Sequence, residues 1–320
     1  MDAFGNVIFG RALMIAVRKG LFETVADRLL TIEEISHESQ LSVSGTELLV
    51  DAFVASGYLK RVGGRYTVTA EGKKWLVKSS PSYLGNLVRY FETLYDRWSY
   101  MDYSIEHGYP PKPYFQMFSE EDWKIYVYGM WDLARLLIGD VRNKIVLPRN
   151  PKRLLDIGGS HALYAIECCQ RYPSLNAVVM DFDNALQHTA AIVRDSGLEE
   201  RVALLGGDFT KIELPLEQDG ILMFNIIHGF REEDSRMLVV RSLRALKPGG
   251  KLYILDQMKE KSWRSGIAQF VPLMVGLNIL NEIGGNTYSF EQVKRWCVDA
   301  SAVKRFRLRL PGVTLVEVTK

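Results

Sequence analysis

Arg153-Leu-Leu-Asp-Ile-Gly-Gly-Ser-His-Ala-Leu-Tyr-Ala-Ile-Glu167 is the stretch that decides the fold. A short apolar run, Leu154 and Leu155, ends in Asp156 and Ile157. Gly158 and Gly159 follow, and a helical pattern then runs from Ala162 to Cys169. Strand, glycine turn and helix in that order form the first unit of a doubly wound α/β domain. Glycine lets the backbone approach a ligand that a Cβ would exclude. The helix start adds unpaired N–H groups and partial positive charge. A nucleotide-like ligand is therefore expected at this turn.

Downstream the alternation continues. Strands are predicted at Arg153–Ile157, Ala177–Asp181, Val202–Gly206, Gly220–Phe224 and Lys251–Asp256. Helices are predicted at Leu163–Arg171, Ala185–Ser196 and Glu233–Leu246. This βαβα order implies a mainly parallel sheet covered by helices on both faces. Ligands of such sheets bind beyond the carboxyl ends of the strands. The residues just after each strand are thus the candidates: Gly158 and Gly159, then Asp181, then Asp208 and Phe209, then Asn225 and His228, then Asp256. A carboxylate such as Asp181 can accept from two ribose hydroxyls. Asp208 and Phe209 supply an acid and a ring that could bracket an adenine.

Upstream, Gly10 to Ala26 reads as a helix, and Thr31-Ile-Glu-Glu34 is a capping box. Ser44 opens a helix through Ala55. Tyr58–Val62, Gly63-Gly64 and Arg65–Val68 suggest a hairpin. Helices followed by a β-wing make a winged helix. Its would-be recognition helix carries Glu47 and Asp51 and no Lys or Arg, whereas phosphate contact needs basic side chains. Protein contact is the better reading than nucleic-acid binding. The apolar first helix, with Phe4, Ile8, Phe9, Leu13 and Met14, suits packing on a second copy of the chain.

Between these parts, Ser82 to Gly139 is rich in aromatic residues and is divided into two helical parts by Pro110-Pro111-Lys112-Pro113. Most of its rings should be core. Tyr126, Met130 and Trp131 recur at helical spacing just before the α/β domain and are singled out as pocket residues.

Length and composition fit this plan. A chain of 320 residues accommodates two domains. Its 47% apolar and 24% charged residues are ordinary for a globular protein. Basic residues number 40 and acidic residues 38, a balance that argues against a nucleic-acid or membrane-surface partner. No apolar run reaches membrane-spanning length, and Met1 to Gly10 lacks the pattern of a signal peptide. Cys168, Cys169 and Cys297 have no metal-ligand spacing, and adjacent cysteines rarely bridge. No metal is expected, and the setting reads as reducing and cytoplasmic.

Leu154-Leu-Asp-Ile-Gly-Gly-Ser-His161, Val179-Met-Asp181, Gly207-Asp-Phe209, Phe224-Asn-Ile-Ile-His228 and Leu246-Lys-Pro-Gly-Gly250 together resemble the class I S-adenosylmethionine-dependent O-methyltransferases. The likeness is to the small-molecule group with an N-terminal winged-helix dimerisation domain, as in caffeate and polyketide O-methyltransferases, and it spans nearly the whole chain. The resemblance implies a winged-helix dimerisation domain at 1–80 and a helical linker contributing to an acceptor pocket at 81–150. It implies a Rossmann-like catalytic domain binding S-adenosyl-L-methionine at 151–320. It implies that Asp156, Gly158 and Gly159 lie beside the cofactor's amino-acid moiety, that Asp181 holds the ribose, and that Asp208 and Phe209 frame the adenine. Asn225 would lie near the methionine part, His228 would be the general base, and Asp256 would orient it. The methyl acceptor would be a small aromatic or hydrophobic molecule. Specificity would come from Tyr126, Met130 and Trp131 and from Trp263 to Asn286, with Met274 and Asn278 as pocket walls.

Departures from the family pattern are specific. Ala162 stands where a third glycine is usual, Gly229 where Asp or Asn follows the histidine, and Phe230 where Trp is common. Asn286 stands where plant enzymes carry a second acid. These departures keep S-, N- or C-methylation open beside O-methylation. A nicotinamide oxidoreductase would need Gly-x-Gly-x-x-Gly after the first strand, which the run from Gly158 lacks. A winged-helix regulator sensing a metabolite is disfavoured by the acidic helix.

Overall fold

The structure is a computed structural model that describes residues 3–259 and 266–320. By its internal contacts it groups into two units, Met1–Asp96 with Tyr128–Leu136, and Arg97–Val127 with Leu137–Lys320.

The first unit begins with α1 (Ala3–Arg18) and α2 (Leu21–Thr24). The single helix predicted over Gly10 to Ala26 instead starts earlier and breaks at Gly20, whose φ of 69° is left-handed. α3 (Ile32–Ser39) and α4 (Val43–Ala55) follow. Thr31 and Glu34 form the expected capping box, with Thr31 N–H donating to Glu34 Oε2 at 2.7 Å. Ser42, two residues before the predicted start, caps α4. The wing is an antiparallel pair, β1 (Leu59–Val62) and β2 (Arg65–Val68). Val62 faces Arg65 across Gly63 and Gly64, both at positive φ, as a tight two-residue hairpin requires. α5 (Ala70–Leu76) and α6 (Gly85–Tyr95) complete the unit. Its core gathers Leu21, Phe22, Ile35, Val50, Phe53 and Leu59.

The aromatic segment holds α6 and α7 (Met101–His107) before Pro110–Pro113 and α8 (Glu120–Val141) after it, the two helical parts expected. The α/β part of the second unit contains β3 (Arg153–Ile157), α9 (Leu163–Arg171), β4 (Asn176–Asp181), α10 (Asp183–Asp195), β5 (Val202–Gly206), β6 (Gln218–Phe224), α11 (Glu232–Ala245) and β7 (Leu246–Gln257). After it come α12 (Ile267–Ile283), α13 (Phe290–Trp296), β8 (Ala302–Arg307) and β9 (Val313–Thr319). Trp263, expected to shape specificity, lies outside the described residues.

The described strands of this unit form one sheet in the order β5-β4-β3-β6-β7-β9-β8. β3 pairs in parallel with both β4 and β6, so the winding reverses there. That is the point at which an open α/β sheet binds its ligand. β9 runs antiparallel to β7 and to β8, which makes the sheet mixed at one edge. This pair was not anticipated, because it follows the last helix as a hairpin and not as another βα repeat. Leu155, Ile157, Ile221, Met223, Leu252, Ile254 and Val316 bury the sheet against its helices.

Candidate active site

At the winding reversal β3 ends with Asp156 and Ile157, and the chain turns at Gly158, whose φ is 68°. The Gly158 N–H donates to Met180 O at 2.7 Å, which ties the turn to β4. A Cβ on Gly158 would come within 2.0 Å of Ile226 Cδ1, and one on Gly159 within 2.5 Å of Asp156 Cγ. Both positions therefore demand glycine for reasons of space. Ala162 does what the missing third glycine would do: it adopts a left-handed φ of 56° at the start of α9, a conformation strained for an L-residue. His161 relieves the helix start, its Nδ1 accepting from Leu163 N–H at 3.1 Å. Burial holds this imidazole neutral, at a pKa of about 4.

Two carboxylates face the turn. Asp156 is 1% exposed and its Oδ2 has no hydrogen-bond partner among the described residues. Burial, and secondarily the charge of Asp181, push it up to about 8. Asp181, at the end of β4, accepts from Phe182 N–H at 2.7 Å. Burial raises it to about 7 against the backbone N–H groups of Phe182 and Ser160. Buried acids in this state are stabilised in their charged form by a nearby cation or by hydroxyl donors. A sulfonium, an ammonium and two ribose hydroxyls are such groups. With the glycine turn beside them, the residues present fit S-adenosylmethionine.

Rings wall the strand ends. Phe209 is buried and lies 5.9 Å from Phe182 and 6.0 Å from Phe230, centroid to centroid. Phe182 in turn approaches Trp123 and Phe115, and Phe115 meets Tyr126 at 5.4 Å. Phe182 was not singled out in the sequence, although it directly follows Asp181. Asp208 serves a local turn: its Oδ1 accepts from Thr210 N–H at 3.0 Å, and its Oδ2 pairs with Lys211 at 2.8 Å. Burial alone would raise its pKa, but Lys211 and Thr210 outweigh that and hold it low.

Beyond β6, Asn225 takes a left-handed φ of 55° and donates its N–H to Leu255 O at 2.7 Å. Gln257 Nε2 reaches Asn225 Oδ1 at 3.3 Å. The chain then makes a short 3₁₀ turn, Ile227–Gly229, which presents His228. His228 Nδ1 lies 2.6 Å from Asp256 Oδ1, and its backbone N–H donates to Asp256 Oδ2 at 3.3 Å. The Gln257 N–H donates to Asp256 Oδ1 at 2.8 Å, so the carboxylate is fixed from both sides. With Nδ1–H on the carboxylate, Nε2 carries the lone pair. Burial works to lower the His228 pKa, but Asp256, Glu282 and Gln257 together raise it above its ordinary value. Such a pair can accept a proton and stabilise the resulting imidazolium.

The pocket residues expected from sequence are distributed over both units. Tyr126 sits among Phe115, Phe118 and Trp123 in the second unit, and burial, with the charges of Asp181 and Glu282, raises its hydroxyl far above the ordinary range. Met130 and Trp131 belong to the first unit. Met274 is 41% exposed on α12. Asn278 accepts from Trp98 Nε1 at 2.9 Å and donates to Glu282 Oε1. Glu282 itself, buried at 3% exposure, was missed. Its signal was a polar set, Asn278, Asn281 and Glu282, at helical spacing in an otherwise apolar helix.

Gly229 and the Gly285-Asn286 segment meet at the histidine turn. A Cβ on Gly229 would stand 3.3 Å from Ile283 Cδ1, and one on Gly285 would stand 2.0 Å from His228 O. The Asn286 N–H donates to His228 O at 2.9 Å. The end of α12 is thus laid against the histidine turn, and bulk is excluded at Gly285.

Comparison with known proteins agrees with this geometry. A family model described as an O-methyltransferase domain matches residues 91–294. The 3-hydroxy-5-methyl-1-naphthoate 3-O-methyltransferase of Streptomyces sahachiroi is 25% identical over 310 residues, which cover 94% of this chain and 89% of that protein. The N,N-dimethyltransferase OxyT of Streptomyces rimosus is 26% identical over 259 residues, covering 78% of this chain and 75% of that protein. Among solved structures, human N-acetylserotonin methyltransferase in complex with SAM superposes with a TM-score of 0.85 at 19% identity, covering 100% of this chain and 98% of that one. At that identity the superposition speaks to the fold.

Proposed function

This chain belongs to the O-methyltransferase family and is an S-adenosylmethionine-dependent methyltransferase, and on that premise we propose that it methylates a hydroxyl of a small aromatic or hydrophobic molecule with His228 as general base. The observation that carries the proposal is the 2.6 Å pair of His228 Nδ1 and Asp256 at the end of the strands that hold the cofactor site. When bound, the cofactor supplies an electrophilic methyl group on a sulfonium. Asp181 would accept from the ribose hydroxyls, Asp156 would face the cationic end, Gly158 and Gly159 would let the backbone approach, and Phe209 and Asp208 would border the adenine, with Asn225 near the methionine part. His228 takes the acceptor's hydroxyl proton at Nε2 as the oxygen attacks. Asp256 keeps the tautomer and stabilises the charge that forms. Alignment of acceptor and methyl supplies much of the remaining rate.

The aromatic walls favour an aromatic or polyketide-like acceptor, in keeping with the naphthoate that names one relative. We assign Tyr126, Met274 and Asn278 to that pocket. A nitrogen acceptor is the second reading, favoured by the similarity to an N,N-dimethyltransferase. We assign residues 1–80 to dimerisation, 81–150 to the acceptor side and 151–320 to the cofactor. The exposed Phe4, Val7 and Ile8 of α1 support a homodimer. Three buried cysteines with no disulfide among them support a cytoplasmic setting. No described helix is long and apolar enough to cross a membrane.

The test is methyl transfer from labelled S-adenosylmethionine to a panel of naphthols, phenols and aromatic amines. We expect turnover of a hydroxylated member by the wild type and a loss of about a hundredfold or more in His228→Ala. Full activity of that variant would overturn the base assignment, and transfer to amines alone would favour the second reading.

A further inference from the structure

The sequence carries no acid at Asn286, and the Asn286 side chain is exposed. The structure brings another acid to the same turn. Glu282 lies on the last turn of α12, next to Ile283, which closes on Gly229, and three residues before Gly285, which closes on the His228 carbonyl. Its carboxylate is 3% exposed. It is held from behind by a hydrogen-bonded arm: Trp98 Nε1–H donates to Asn278 Oδ1 at 2.9 Å, and Asn278 Nδ2–H donates to Glu282 Oε1. Asn281, its neighbour, fastens the helix to the segment before it, donating to Arg97 O at 3.0 Å and accepting from Ser104 Oγ at 2.8 Å. A buried carboxylate is costly to place. Here the neighbouring side chains spend directed hydrogen bonds on fixing its position.

We propose that Glu282 is a second acid for His228, a positioning residue that acts from α12 opposite the Asp256 of β7 and stabilises the imidazolium formed in methyl transfer. The proposal rests on His228 being the base. It replaces an acid missing from the following loop with one delivered by a helix. Among the described residues, the groups that act on His228 are Asp256 and Gln257 from β7 and Glu282 from α12, with Asn225 beyond β6 linked through Gln257. Tyr288 donates to Phe230 O at 2.6 Å beside the turn and brings no charge. Of these only Asp256 and Glu282 are acids. The charge of Glu282 raises the basicity of His228 and, on its other side, disfavours ionisation of Tyr126.

The test needs no acceptor. Histidine imidazoles are labelled with nitrogen-15 and titrated by NMR in the full chain saturated with S-adenosylhomocysteine; with five histidines, His228→Ala assigns the signal. We expect Glu282→Gln to move the His228 midpoint to lower pH by about half a unit or more, as removal of one nearby charge does. Glu282→Asp should recover part of the shift. Trp98→Phe, which keeps an aromatic side chain but removes the pyrrole half of the indole with its N–H, should give a smaller shift in the same direction, and it decides the matter if Glu282→Gln does not fold. An unchanged midpoint in folded Glu282→Gln, or in Trp98→Phe if that variant alone folds, would overturn the proposal. Failure of the underlying reading looks different: the Asp256→Asn midpoint would then match the wild type.

Discussion

Asp156 and Asp181 are the residues on which the proposed cofactor site turns. Each lies above its ordinary pKa because water has been removed from it, Asp156 also because it faces Asp181. The folded, cofactor-free protein therefore keeps protons on them that the unfolded chain has already lost. Stability must then fall as pH rises through the native values, and it levels off above about 8. His228, also raised, acts with the same sign. His161, lowered, acts with the opposite sign but only below the ordinary histidine range. Between about pH 6.5 and 8 the signs agree. We predict that the urea midpoint of the cofactor-free protein falls across that interval and that Asp156→Asn flattens the fall. A flat wild-type midpoint would mean that these acids are ionised without a ligand. Asp181 and Asp256 were legible in the sequence because they stand at the carboxyl ends of strands, where α/β sheets place ligand contacts. Glu282 was not legible, because burial and the reach of its arm to Trp98 depend on packing between segments far apart in the chain.

At the scale of elements, the contact of α12 with the 3₁₀ turn sets the geometry of the base. A Cβ on Gly285 would stand 2.0 Å from the His228 carbonyl oxygen, a backbone atom that cannot swing aside. We predict that Gly285→Ala displaces the turn, destabilises the fold by about 1–3 kcal/mol as overpacking does, and lowers turnover while leaving cofactor affinity near wild type. Chemical denaturation and calorimetry check the two parts separately; equal losses of cofactor affinity and turnover would show that α12 supports the whole site. The βα repeats were readable because apolar runs alternate with helical patterns at regular spacing, and α9 falls on its predicted bounds. β8 and β9 were not read. Val313–Thr319 lacks a clean alternation, with Leu315 and Val316 adjacent, and its Glu317 is held by Lys251, Lys304 and Tyr253, pairings that a local pattern cannot reveal.

For the whole molecule, the two units carry different demands. The first displays Phe4 at 76%, Val7 at 60% and Ile8 at 54% exposure along one short stretch of α1. Apolar side chains so concentrated mark an interaction surface. We predict that the protein sediments as a dimer and that Ile8→Glu yields a folded monomer; a wild type that stays monomeric at micromolar concentration would remove α1 as a dimerisation element. The second unit makes the chemical claim, that one row of strand ends binds S-adenosylmethionine and sets it before a separate base. Calorimetric titration of S-adenosylmethionine and S-adenosylhomocysteine into wild type, Asp181→Ala and His228→Ala tests that claim most directly. The account predicts that wild type and His228→Ala bind both ligands with similar affinity, while Asp181→Ala loses most of it. Undiminished binding by Asp181→Ala, or loss of binding by a folded His228→Ala, would contradict it.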